Sequence, residues 1–178
     1  MVNFTHHNTL PHKAGVGYKA QHLNDILQDP DRIGWIEIHA ENYMGDGGRP
    51  IAQLRHLREK LPVSCHGVGL SIGSESPLDR DHLARLKKLV AWLEPAMFSE
   101  HLAWSTHDTA FLNDLLPVPY TQSVADRVVS HVQQVQETVG RQMLLENPST
   151  YVAFEQSDMT EVDFLTDVAK RSGCGLLL

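Results

Sequence analysis

The sequence predicts an α/β fold on a parallel sheet, and three observations carry that reading. Short apolar or β-branched runs alternate with stretches of helical periodicity along the chain. Such alternation builds parallel sheets, because each crossover helix returns the chain to the same end of the sheet. His and acidic residues also collect where the apolar runs end. In a (β/α)₈ barrel the chemistry sits at those ends, on the C-terminal face. The competing doubly wound sheet announces itself with a Gly-rich turn after its first strand. Gly15-Val16-Gly17 is too short for one, and no G-x-x-x-x-G-K phosphate loop occurs. The chain therefore reads as part of a TIM (β/α)₈ barrel.

Taken in order, the first strand is Gly15–Tyr18, and Leu23, Ile26 and Leu27 then share a helical face that ends before Pro30. The second strand, Gly34–His39, precedes a helix marked by Ile51, Leu54 and Leu57 and stopped by Pro62. Val63–Val68 is the third strand, followed by the periodic Leu83, Leu86, Leu89, Val90 and Leu93 up to Pro95. Ala96–His101 is the fourth. Ser123 with Asp126 resembles a capping box ahead of Val124, Val128, Val132, Val135 and Val139, with Gly140 as C-cap. Gln142–Asn147 is the fifth strand. Thr160 with Asp163 repeats the device before Phe164, Leu165 and Val168, closed by Gly173, and Gly175–Leu178 is the sixth.

A chain of 178 residues with 42% hydrophobic and 21% charged residues suits one domain, residues 1–178, with a core of its own. The net charge of −7 argues against binding a nucleic-acid backbone. No apolar run approaches the roughly 20 residues of a membrane span, so no membrane partner is expected. Cys65 and Cys174 are too few for a disulfide scaffold and fit a reducing cytoplasm. Both read as structural, not catalytic. The eleven histidines stand out. His6, His7 and His12 read as a solvated tail. His22, His56, His82 and His131 read as solvated or rim histidines on helices, and His107 with Asp108 as a polar loop.

The chemistry-bearing residues sit at the strand ends. Because side chains alternate across a strand, Ile36 and Ile38 face the helices while Glu37 and His39 share the opposite face. That pair is either a catalytic floor or a buried hydrogen-bonded pair. If His66 points inward, Cys65 points at the helical layer. Glu100-His101 and Glu146-Asn147 each put an acid beside a second polar residue at a strand terminus, and strict alternation aims one of each inward. Three strands thus bring His66, His101 and Glu146 to one rim. Two imidazoles and a carboxylate suit Zn, Fe or Mn, with iron favoured when open positions remain. A rim of polar residues is also what any barrel pocket presents.

The segments "EIHAENYMGDGG", "HGVGLSIGS", "SEHLAW", "LNDLLPVPYT" and "LLENPS", in this order, resemble the multinuclear non-haem iron-dependent oxidative enzymes. That family includes the catalytic subunit of methanobactin biosynthesis. The resemblance runs from about Gly15 to Leu178. It implies a xylose isomerase-like TIM barrel with two or three irons at its C-terminal face, His66, His101 and Glu146 as metal ligands, and Asn147 supporting the ligand or the substrate. It further implies iron- and dioxygen-dependent oxidation of cysteine in a ribosomally made peptide, presented by a small partner protein. A sugar isomerase or epimerase, or a phosphodiesterase, of the same barrel group would share the rim but use Mn, Mg or Zn. An inactive fragment is the third reading.

In the family, further His, Asp and Glu ligands follow "GCGLLL". A complete barrel needs about 250 residues, so the chain is expected to hold about five to six units and to be truncated at its C-terminal side. Its open edges are expected to seek a longer polypeptide or a second copy.

Overall fold

The computed structural model of the chain describes residues 10–107, 110–147 and 150–178, without the side chains of residues 107, 110, 111 and 113. Eight strands are found among them: β1 (Gly15–Gly17), β2 (Trp35–His39), β3 (Val63–Gly67), β4 (Met97–His101), β5 (Trp104–His107), β6 (Ala110–Leu116), β7 (Leu144–Glu146) and β8 (Gly175–Leu177). Six form one sheet in the order β1-β2-β3-β4-β7-β8, and every neighbouring pair is parallel. Sequential order with parallel pairing is the wall of a partial α/β barrel. The helices are α1 (Leu23–Gln28), α2 (Arg49–Arg58), α3 (Arg80–Leu93), α4 (Gln122–Val139) and α5 (Glu161–Ser172).

The helices start and stop where local chemistry dictates. Asp79 Oδ1 accepts the N–H of Asp81 at 2.8 Å and of His82 at 3.2 Å, capping α3. Thr160 Oγ1 accepts Asp163 N–H at 3.2 Å and donates to Asp163 Oδ2 at 2.7 Å. The cap of α4 is Thr121, which accepts Val124 N–H at 3.3 Å, whereas Ser123 lies inside the helix and touches Thr121 Oγ1. The sequence suggests Ser123 because serine and Asp126 have capping-box spacing; the extended backbone at Thr121 decides otherwise. Gly140 and Gly173 end α4 and α5 in the left-handed region, at φ 72° and 74°. Glu94 does the same for α3 at φ 44°.

The core lies between sheet and helices. Ile36, Ile38, Cys65, Phe98 and Leu145 come from one face of the sheet and pack on Leu54, Leu57, Leu86, Leu93, Val128 and Phe164. Cys65 is fully buried there and Cys174 nearly so.

Two further features depart from the sequence reading. The stretch holding His107 is not a polar loop: β5 and β6 form an antiparallel hairpin outside the main sheet, while Asp108 lies outside the described residues. His6 and His7 lie outside them too. His131 is buried, its Nδ1 2.9 Å from Ile72 O, and clamps the loop after β3. That loop is tied to the hairpin through Ser71 Oγ, which accepts Ser105 N–H at 2.9 Å, and through Gly73 N–H to Ala103 O at 2.9 Å. No helix among the described residues is long and apolar enough to cross a membrane.

Candidate metal centre

Register and alternation together assemble the site. His66 on β3 pairs with His39 on β2 and Ser99 on β4, and His101 on β4 pairs with Glu146 on β7. The residues two apart on each strand share a face. Glu37, His39, Ser64, His66, Ser99, His101 and Glu146 therefore occupy the face away from the helices. Their sequence neighbours Ile38, Cys65, Glu100 and Leu145 turn toward the helical layer and are buried. Of the pair Glu100-His101 it is the imidazole that faces the rim.

His66, His101 and Glu146 each offer a ligand atom within 4.8 Å of the other two. The two Nε2 atoms are 3.2 Å apart, and Glu146 Oε2 lies 3.4 Å from His66 Nε2 and 3.7 Å from His101 Nε2. The rings meet edge to face, with centroids 4.4 Å apart. His66 Nδ1 is 2.7 Å from Ser99 Oγ. Ser99 shares the face with His101 by simple alternation, so its place on that face was legible and was missed. Donation of Nδ1–H to that hydroxyl leaves the Nε2 lone pair facing the cluster. His101 Nδ1 is buried without a hydrogen-bond partner among the described residues.

Electrostatics favour the ligand form. Burial, the largest cause, pulls both imidazoles below the ordinary histidine range. For His66 the charges of Glu37 and Glu41 oppose this and His39 adds to it. For His101 the second cause is His66, with Glu146 opposing. Neutral imidazoles beside a carboxylate are the donor set of a Zn, Fe or Mn site, so the residues fit a metal.

Glu37 and His39 line the adjoining wall. Glu37 Oε2 accepts a hydrogen bond from Ser64 Oγ at 2.9 Å, and the His39 ring centroid lies 6.0 Å from that of His66. The two are not hydrogen-bonded to one another; Glu37 is partly buried and His39 exposed. Asn147 is not brought to the cluster: its Nδ2 donates to Glu161 Oε1 at 2.7 Å, on the first turn of α5.

A second polar group stands on the helix side. Glu41 Oε1 accepts the N–H of Val68 at 3.0 Å and Gly69 at 2.7 Å, and lies 3.4 Å from His82 Nε2. His82 is therefore no solvated helix histidine. Burial raises the Glu41 carboxyl, but the close approach of His82 and the backbone N–H groups of Glu41 itself, Val68 and Gly69 outweigh it and hold the group below its usual range. Glu100, 1% exposed, is pushed well up, first by burial and then by the charge of Glu41.

Residues 13–178 match the family described as RiPP precursor modification enzyme MbnB/TglH/ChrH. The UPF0276 protein RB0508 of Rhizobium meliloti is 55% identical over 166 residues, 93% of this chain and 54% of that protein. The UPF0276 protein of Paraburkholderia phytofirmans is 51% identical over 164 residues, 92% and 53% of the two chains. The chain thus spans about half the length of the curated relatives it matches. Among solved structures, an L-ribulose 3-epimerase superposes with a TM-score of 0.55 at 16% identity, covering 93% of this chain and 59% of that one. A D-psicose 3-epimerase crystallised in the presence of D-fructose gives 0.52 at 17%, covering 88% and 60%. At such identity the likeness shows the fold alone, a xylose isomerase-like TIM barrel.

Proposed function

We propose, from the premise that the chain belongs to the family of RiPP precursor modification enzymes MbnB/TglH/ChrH, that it carries the His66–His101–Glu146 part of an iron centre that oxidises cysteine in a ribosomally made precursor peptide. The observation that supports this best is the convergence of two burial-neutralised imidazoles and one carboxylate at the ends of β3, β4 and β7. When loaded, such a centre supplies one-electron oxidising chemistry with dioxygen as the oxidant and positions open to a substrate thiolate.

The chain's own residues do the rest. Ser99 holds the His66 ring at Nδ1, and with its hydroxyl accepting the Nδ1 proton, Nε2 presents a lone pair. Glu146 offsets positive charge at the site. Glu37, oriented by Ser64, and exposed His39 form the wall that a bound peptide meets, and either can hold a proton there. Asn147 joins that wall only if its amide leaves Glu161. A small partner protein that presents the peptide completes the reading.

The test, on a polypeptide extended to about 250 residues or more and with the small partner protein present, is anaerobic loading with Fe(II), exposure to air with a Cys-containing precursor peptide, and mass spectrometry of the cysteine. Modification is expected in the wild type and a loss of tenfold or more in His66→Ala, His101→Ala and Glu146→Gln, roughly the effect of losing a ligand's support. Unaltered modification in any of the three would contradict the assignment. Tight zinc or manganese with turnover of a free sugar would favour the isomerase chemistry.

A further inference from the structure

Beside the strand ends lies a groove of about 500 Å³, bounded by the loop after β3, the base of the β5–β6 hairpin, the first turns of α4 and the segment after β7. Its apolar walls include Trp104, Val118, Val124 and Phe154. Trp104 is held in place by donation of its indole N–H to Pro117 O at 2.8 Å, and the loop opposite by the Ser71 and His131 contacts. The groove is therefore built on anchored backbone.

Arg127, on α4, also lines it and is half-buried; its Nε is covered, its guanidinium has no hydrogen-bond or ion-pair partner among the described residues, and its terminal Nη1 and Nη2 are the atoms a ligand can reach. A half-buried guanidinium without a partner has a carboxylate as its natural complement, which the two terminal nitrogens bind through two parallel hydrogen bonds. From this geometry we infer that the groove binds an acidic side chain flanked by an apolar residue of the precursor peptide, the carboxylate on Arg127 and the apolar neighbour between Trp104 and Phe154. Exposed Glu75 lines the same groove and adds repulsion for each further acid that the peptide carries. The inference rests on the peptide-modifying reading above and adds what the peptide is recognised by.

The test is fluorescence polarisation with two labelled, acetylated and C-terminally amidated hexapeptides that differ only in a central Glu or Gln beside Phe. The Glu peptide is expected to bind about tenfold more tightly, as a charge-assisted pair predicts. Arg127→Gln abolishes that ratio, Arg127→Lys keeps part of it, and Phe154→Ala weakens both peptides alike. Equal binding of the two peptides by the wild type, or an undiminished ratio in Arg127→Gln, would overturn the inference. So would a Gln peptide with a free C-terminus binding as tightly as the Glu peptide, since the carboxylate would then be terminal. Absence of saturable binding of any peptide up to about 1 mM also counts against it. Because binding is read without turnover, charge-selective binding by a protein that never modifies cysteine would defeat the proposed function and leave the groove standing. Cysteine modification indifferent to peptide charge would do the reverse.

Discussion

Cys65 and His66 are neighbours in sequence and lie on opposite faces of β3. The thiol is fully buried against the helices, and burial, helped by the charges of Glu41 and Glu100, pushes its pKa well up. A thiol so held is inert. Replacing Cys65 and Cys174 with Ala is expected to lower stability by about 1–2 kcal/mol each through lost packing, and to leave metal binding within a few-fold. Titration with a thiol-reactive dye should find both cysteines only after denaturation. Gly67 is held to its identity by Glu100: a Cβ there would collide with Glu100 Oε1, and that buried carboxyl would have to shift to make way. Gly67→Ala should cost about 1–3 kcal/mol in chemical denaturation. Glu41, whose folded pKa lies below its unfolded one, contributes stability that is present above the ordinary carboxylate pKa of about 4.3 and is lost as pH falls through the folded value. Glu41→Gln should therefore shrink the stability difference between pH 7 and acid. An unchanged acid limb would show that the Val68 and Gly69 contacts do not depend on its charge.

At the scale of elements, the caps make the sharpest statements. Thr121→Ala should cost about 1 kcal/mol while Ser123→Ala costs little, because only Thr121 satisfies an orphan N–H of α4. Glu94 occupies a left-handed C-cap where α4 and α5 use glycine. Its carboxylate meets Arg58 Nη2, and Arg58 Nε also donates to Leu93 O, but Glu94 is largely exposed and such pairs contribute little. Glu94→Gly should raise thermal stability by about 0.5–1 kcal/mol. Alternation and periodicity made the six sheet strands and five helices readable, since burying one face leaves a period in the sequence. The hairpin β5–β6 left none: its strands pair with one another outside the sheet, and Asn113-Asp114 breaks the apolar run of β6. His82 and His131 were equally opaque, because a helical histidine looks solvated until the loop it faces is known.

For the whole molecule, the parallel order β1-β2-β3-β4-β7-β8 places three strand ends side by side, and the site is their common product. His66, His101 and Glu146 were legible because a polar residue at the end of an apolar run has few structural reasons to be there. That Asn147 turns to α5, and that Ser99 orients His66, depended on side-chain contacts no spacing encodes. The most direct test is titration of ¹⁵N-histidine-labelled protein with Co(II), or anaerobic Fe(II), followed by NMR. Resonances of His66 and His101 should broaden and shift first, with His22 and His56 unaffected until large excess. Glu146→Gln should weaken the effect by about tenfold or more. Sharp, unshifted His66 and His101 signals at metal concentrations that perturb other histidines would contradict a metal centre at these strand ends.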